Sequence, residues 1–306
     1  MAEAGGGVEL FHGLPSLTLH LPCGDSARVL LHGAQLVSWV SRGRERLYLS
    51  PRARFDGRSA VRGGVPVCFP QFNQRGRLPK HGFARQLAWQ PIASSAMAGE
   101  EVRLGLRLSS NPVTLAIWPR SFVCELTVAL RPGGLQITLA VQNTDAQPIE
   151  FTGALHTYLA VDDIAHTILD GLAGQPEWDA VSDRHGHGSD GLRFDGEFDR
   201  VYAAATRPLR LRDGPQTLEL AQSDSWAQTV VWNPGADKGT ALDDLPAGGW
   251  QRMVCVEAAQ VMQPVMVAPG AVWSGWQCLT PCAEAGPPVN LQSPPCWPKE
   301  SFPVWT

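Results

Sequence analysis

FVCELTVALRPGGLQITLAV, running from Phe122 to Val141, decides the fold class. Phe122, Cys124, Leu126, Val128 and Leu130 occupy every second position, and Leu135, Ile137, Leu139 and Val141 do the same after Arg131-Pro132-Gly133-Gly134. A period of two puts each apolar set on one face of an extended segment, and the Pro-Gly-Gly break folds one segment back on the other, so the stretch reads as an antiparallel hairpin. The same alternation precedes it. Val102, Leu104, Leu106 and Leu108 share one face with Arg103 and Arg107 on the other, and Leu17, Leu19 and Leu21 alternate with Thr18 and His20. Residues 28–40 continue in this way, with Gly33 as a bulge or turn. Further strands are expected at 151–161, 217–221, 227–232, 253–258 and 272–279. No long stretch has apolar residues at helical spacing and no period repeats. Many short strands between Gly/Pro turns therefore predict an all-β sandwich or barrel rather than a propeller or solenoid.

The chain has 306 residues, 44% hydrophobic and 18% charged, enough for a large buried core and too apolar for global disorder. No shift in composition marks a linker before Cys282, so one domain is expected over 1–282, followed by a Pro-rich, aperiodic tail over 283–306 that orders only if Trp297 or Trp305 docks. A net charge of −4 argues against sequence-independent binding to nucleic acid. The seven cysteines are an odd number without paired spacing, so free thiols in a reducing compartment are expected, and no zinc site. No signal-peptide pattern opens the chain and no apolar run is long enough to span a bilayer. A cytoplasmic monomer with no membrane contact is the expectation.

Against this acidic background, residues 62–89 stand out: RGGVPVCFPQFNQRGRLPKHGFARQLAW. Arg62, Arg75, Arg77, Lys80, His81 and Arg85 are interleaved with Phe69, Phe72, Phe83 and Trp89, and glycines and prolines prevent regular structure. Cations and rings on a loop suit a small anionic ligand held by a rigid frame. The residues alone leave open a solvated loop with a few core anchors.

Two residues carry acid–base potential. His156, in FTGALHTYLAV, would share a strand face with Thr152, Ala154, Tyr158 and Ala160, opposite Leu155, Leu159 and Val161. A small and polar face suits a pocket floor, and imidazole titrates near neutrality; a half-exposed histidine without a role is the alternative. Glu257, in RMVCVEAAQV, shares a face with Met253 and Cys255, where a carboxylate is costly unless the face opens onto a cavity or the strand ends there. Asp162 and Asp163 suit a turn cap or a cation, and Asp199 precedes a short apolar strand where it could accept hydroxyl hydrogen bonds. His185 and His187 lie in a Gly-rich loop without a third ligand. The GxxxxGK[ST], GxGxxG and GxSxG patterns are absent, which removes nucleotide-dependent enzymes and serine hydrolases from the leading readings.

RGGVPVCFPQF, LPKHGFAR, ALHTYLAVDDI and the pair WNPGADK with MVCVEAA occur in that order between Arg62 and Ala259. Together they resemble the hexose-6-phosphate mutarotases, or glucose-6-phosphate 1-epimerases, of the aldose 1-epimerase group. The resemblance implies a large antiparallel β-sandwich of the galactose mutarotase type, and interconversion of the α and β anomers of a hexose 6-phosphate. It implies no cofactor and a phosphosugar as the only partner. It places the acid on His156, the base on Glu257, and substrate contacts on Arg62, Lys80, Arg85 and Asp199, with His81 close by. Two positions depart from the family pattern: Lys80 replaces a common glutamine, and Gly235 replaces an aromatic residue, which would leave one pocket wall more open. The rival readings are an epimerase of unphosphorylated hexose, a non-catalytic carbohydrate-binding sandwich, and an inverting glycoside hydrolase using Asp163 and Glu257.

Overall fold

A computed structural model describes residues 7–96 and 101–282. The 283–306 tail, with the expected docking of Trp297 or Trp305, lies outside the described residues.

The hairpin forms as its alternation requires. Phe122–Arg131 pairs with Gly134–Asn143 from Arg131 opposite Gly134 to Phe122 opposite Asn143, and every apolar residue quoted above from these two strands is buried in one cluster. The hairpin is the middle of a large antiparallel sheet. In spatial order that sheet runs Thr167–Asp170, Leu209–Asp213, Gln216–Gln222, Val272–Pro281, then the hairpin, Val102–Ser109 and Gln90–Ala96. A second large sheet runs Arg184–His187, Pro176–Asp179, Phe198–Ala203, Gln228–Asn233, Met253–Val267, Ile149–Leu155 and Val67–Cys68, with Tyr158–Ala160 also paired to Met253–Val267. A smaller five-stranded sheet is built from Glu9–Phe11, Leu14–His20, Ser26–Leu30, Leu36–Ser41 and Arg44–Glu45. The α-helices among the described residues, Pro112–Ile117 and Gly235–Thr240, have six residues each, and no helix there is long and apolar enough to cross a membrane.

Leu126 and Ile137 of one large sheet and Val254, Val256, Leu155 and Tyr202 of the other belong to a single buried cluster. That shared core makes the fold a β-sandwich. Leu19, Val29 and Trp39 extend the core from the small sheet. Phe69 is its aromatic centre, with ring centroids 5.2 Å from Phe151, 5.3 Å from Phe122, 5.6 Å from Trp118 and 6.4 Å from Phe83. Truncating a ring so enclosed leaves a void that its neighbours fill poorly. Phe69→Ala is therefore expected to lower unfolding free energy by about 3–5 kcal/mol, read as a lower urea midpoint at an unchanged slope.

Several expectations are corrected in detail. The expected strand over 151–161 is interrupted at His156 and Thr157, although its faces hold: Leu155, Leu159 and Val161 enter the inter-sheet core, while Ala154, Tyr158 and Ala160 pack on the other side. Asp199 lies inside the strand Phe198–Ala203 rather than before it. His185 and His187 belong to the exposed edge strand Arg184–His187, not to a loop. Asp163 caps the short turn Ile164–His166 through its carboxylate, and the exposed Asp162 meets Arg44 at 3.0 Å.

Candidate active site

Met253–Val267 gives the site its floor. Along this strand Val254, Val256 and Ala258 point into the inter-sheet core, so Met253, Cys255, Glu257 and Ala259 must point to the opposite face. There Met253 and Cys255 pack with Tyr48, Tyr158 and Leu245, and Ala259 packs with Cys68, Ala154, Val201 and Val230. Glu257 lies between these two small clusters, 1% exposed. Asn233 anchors the entry to the strand: its amide donates to the Trp250 and Met253 carbonyls at 2.8 Å, and its side-chain oxygen accepts from the Gly235 N–H at 2.8 Å. This is the structural content of the WNPG segment.

Gly235 does not open a wall. It is buried with φ +64°, and a Cβ there would stand 2.5 Å from the Glu197 backbone nitrogen. Neighbouring backbone already fills the space an aromatic side chain would need.

His156 is held by the first part of the cationic loop. Its N–H donates to the Pro66 carbonyl at 3.0 Å, and the Tyr158 N–H donates to Gly64 at 2.9 Å. Only glycine fits at position 64, because φ is +61° and a Cβ would lie 2.1 Å from the Leu36 carbonyl oxygen. Across the sheet, Asp199 is opposite Trp232, Trp232 opposite Cys255, and Cys255 opposite Tyr158. This register brings side chains far apart in sequence into one transverse row.

The imidazole Nε2 of His156 lies 3.3 Å from Glu257 Oε1. His156 is 7% exposed and stacks on Tyr158 with centroids 4.8 Å apart and planes 12° from parallel. Its Nδ1, and Oε2 of Glu257, are buried without a hydrogen-bond partner among the described residues. Burial holds the Glu257 carboxyl well above the usual carboxylate range; Asp199 adds to this and Arg85 opposes it. Burial also drives the His156 imidazole well below its usual value, helped by the positive charges of Arg85, Arg62 and Lys80. Each shift disfavours an isolated charge, so the pair is held with one proton between its two members.

His81 stands beside this pair, its ring centroid 5.5 Å from that of His156. Its Nδ1 accepts from the Asn73 N–H at 3.3 Å and lies 3.1 Å from the Cys68 sulfur. Burial and the neighbouring cations lower its affinity for a proton, so His81 is neutral with its hydrogen on Nε2, a donor for a ligand oxygen. Cys68 is fully buried and its thiol is pushed up to about 12.

A hollow of about 420 Å³ is walled by Arg62, Pro66, Arg85, Tyr158 and residues 241–244. Arg85 donates from Nη2 to the Lys80 carbonyl at 3.1 Å, and its Nε is buried without a partner among the described residues. Arg62 is less free than a forked anion clamp would be: Nε donates to Asp244 Oδ1 at 3.0 Å and Nη1 to the Tyr158 hydroxyl at 2.9 Å. Lys80 is exposed, and Asp199 is partly buried with its carboxyl raised by burial. Thus Arg62 and Arg85 reach the hollow, His81 joins the His156–Glu257 pair, and Lys80 and Asp199 act on them through charge.

His156, Cys255 and Glu257 present ligand atoms within 4.8 Å of one another, close enough to share a cation. The donor set is poorly matched to one, since burial keeps the Cys255 thiol well above its usual value and Arg62 and Arg85 bring positive charge to the same place. Tyr158, Asp244 and Cys68 are the contributors that sequence reasoning did not single out. Tyr158 was legible at two positions beyond His156 on its face. Asp244 was not, being 182 residues from its partner Arg62.

Residues 15–280 match the family described as Aldose 1-epimerase. A relative from Cenchrus ciliaris named "Putative glucose-6-phosphate 1-epimerase" is 35% identical over 276 residues, covering 86% of this chain and 83% of its own. One of the same name from Escherichia coli K12 is 36% identical, covering 76% of this chain and 79% of its own. The crystal structure of a "putative mutarotase" from Salmonella typhimurium superposes with a TM-score of 0.82 at 29% identity, covering 90% of this chain and 92% of its own.

Proposed function

The chain belongs to the aldose 1-epimerase family, and from that premise we propose that it interconverts the α and β anomers of a hexose 6-phosphate, glucose 6-phosphate above all, with His156 and Glu257 as the acid–base pair. One observation carries the reading: a buried imidazole–carboxylate contact of 3.3 Å beside a hollow whose wall includes Arg62 and Arg85. The reaction needs a base at the anomeric hydroxyl and an acid at the ring oxygen. Both oxygens are bonded to C1, so base and acid must stand side by side, as this pair does.

In the forward half, the Glu257 carboxylate takes the O1 proton and the O1 lone pair forms the C1 carbonyl as the C1–O5 bond breaks. O5 takes its proton from the His156 imidazolium. Rotation about C1–C2 presents the other carbonyl face. O5 then returns its proton to His156 and attacks C1, and O1 recovers a proton from Glu257. Throughout, the pair keeps one proton: burial favours the uncharged carboxyl–imidazole arrangement, and the reacting carboxylate–imidazolium arrangement is the same pair with that proton moved across the 3.3 Å contact. Each positioned proton transfer contributes about a hundred- to ten-thousandfold in rate.

His81 Nε2–H and Asp199 are proposed to orient sugar hydroxyls. Arg62 and Arg85, with Lys80 adding a point charge, are proposed to hold the phosphate, whose binding fixes C1 against the pair. The common core from Leu17 to Leu279 supports reading 1–282 as one catalytic unit. The test is exchange spectroscopy on the anomers of glucose 6-phosphate and of free glucose with the purified chain. Faster exchange of the phosphorylated sugar is expected, with His156→Ala abolishing it; equal rates on both sugars would point instead to an epimerase of unphosphorylated hexose. The hydrolase reading loses its second carboxylate, since Asp163 is occupied in capping a turn.

A further inference from the structure

Arg62 is a half-buried cation whose direction is imposed by its neighbours. Asp244 Oδ1 accepts from Nε at 3.0 Å, and the Tyr158 hydroxyl accepts from Nη1 at 2.9 Å. The two side chains of the ion pair are similarly sheltered, 22% and 21% exposed. Ser50 locks their backbones together: its N–H donates to the Arg62 carbonyl at 3.0 Å and its hydroxyl to the Asp244 carbonyl at 2.6 Å. The adjoining Leu245 is buried with Tyr158. At the other end, the Tyr158 ring lies flat against the His156 imidazole. An unbroken series of contacts thus joins Asp244, Arg62, Tyr158 and His156, one end at the hollow and the other at the acid–base pair.

We propose that Asp244 is a positioning residue: it aims Arg62 at the phosphate of the substrate and, through the Tyr158 hydroxyl, holds the ring that keeps the His156 imidazole in place. This rests on the phosphosugar reading for its first half only, because the second half concerns the protein alone. Asp244 also offsets half of the charge the hollow would otherwise present, so anion binding is moderated and product can leave.

Two substitutions separate orientation from charge. Asp244→Asn keeps an acceptor for Arg62 Nε and removes the negative charge; Asp244→Ala removes both. In the alanine variant kcat/KM for glucose 6-phosphate is expected to fall about tenfold to a hundredfold, the scale of a lost charge-assisted hydrogen bond. In the asparagine variant kcat stays within about threefold, while inorganic phosphate inhibits about three- to tenfold more strongly because the offsetting charge is gone. Imidazole 15N NMR, with the His156 signals assigned by His156→Gln, reads the second half without substrate: those signals shift in Asp244→Ala, with His81 beside them the only other histidine affected, and keep their positions in Asp244→Asn. His156 signals unmoved in the alanine variant, or an asparagine variant as impaired as the alanine one, would overturn the proposal. If the alanine variant does not fold, unchanged or weaker phosphate inhibition in Asp244→Asn overturns it instead. Failure of the phosphosugar reading is separate, showing as wild-type enzyme indifferent to the 6-phosphate, and the 15N result then decides whether Asp244 positions His156.

Discussion

Glu257→Gln is expected to slow anomer exchange of glucose 6-phosphate by about a hundredfold to ten-thousandfold while leaving the protein at least as stable as before. The amide has nearly the same shape and still meets His156, but it cannot take the O1 proton. Stability moves the other way because the carboxylate is 1% exposed and its Oε2 is buried without a partner among the described residues. Removing a buried ionisable group lifts a desolvation cost, whereas an unfilled hydrogen bond exists already. Thermal melting and exchange spectroscopy on one preparation check both halves. A variant retaining more than a tenth of the wild-type rate would place the base elsewhere.

The pH profile follows from the same pair. Losing its single proton leaves a buried carboxylate, which the raised Glu257 value opposes, so the alkaline limb lies above the ordinary carboxylate value of 4.5. Gaining a second leaves a buried imidazolium, which the lowered His156 value opposes, so the acid limb lies below 6.5. A bell with a broad top is expected, and both limbs belong to the pair rather than to either residue. A profile flat from acid to alkaline pH would exclude the pairing.

Arg85→Ala should separate the two sugars. Arg85 lines the hollow and makes no ion pair among the described residues, so its charge is available to an anion. Removing a charge-assisted hydrogen bond costs about 1.5–3 kcal/mol, which is about ten- to over a hundredfold in kcat/KM for glucose 6-phosphate. Free glucose, which lacks the anion, should lose far less. Arg85 also lowers the proton affinity of both His156 and Glu257, so its removal should move both limbs of the profile to higher pH. Equal losses on both sugars with unmoved limbs would take Arg85 out of the phosphate site and away from the pair.

How much was legible in the sequence depended on where each restraint lies. The hairpin could be read because one apolar face of each strand is buried in a single core, which the period of two records directly. The faces around His156 and Glu257 could be read for the same reason, including the polar side that becomes the site. Pro176–Asp179 and Arg184–His187 could not be read, since PEWD and RHGH carry no apolar alternation; the first is half-buried and the second forms the exposed edge. Nor could the full Met253–Val267 strand, whose distal half is largely solvent-facing and contains Pro264. The tether of Arg62 to Asp244 and the backbone pressed against Gly235 are tertiary facts without local signal.

The transverse row from Asp199 through Trp232 and Cys255 to Tyr158 has a bearing on how such a protein can change over time. A one-residue insertion between Val254 and Val256 would exchange inside for outside along the remaining strand, sending Glu257 into the sandwich and bringing Val256 out in its place. Chain length is therefore frozen within these strands and negotiable only where they end. New substrate preferences in descendants of this chain should arise by remodelling segments such as 241–245 and 73–80, with the proposed acid–base pair inherited intact.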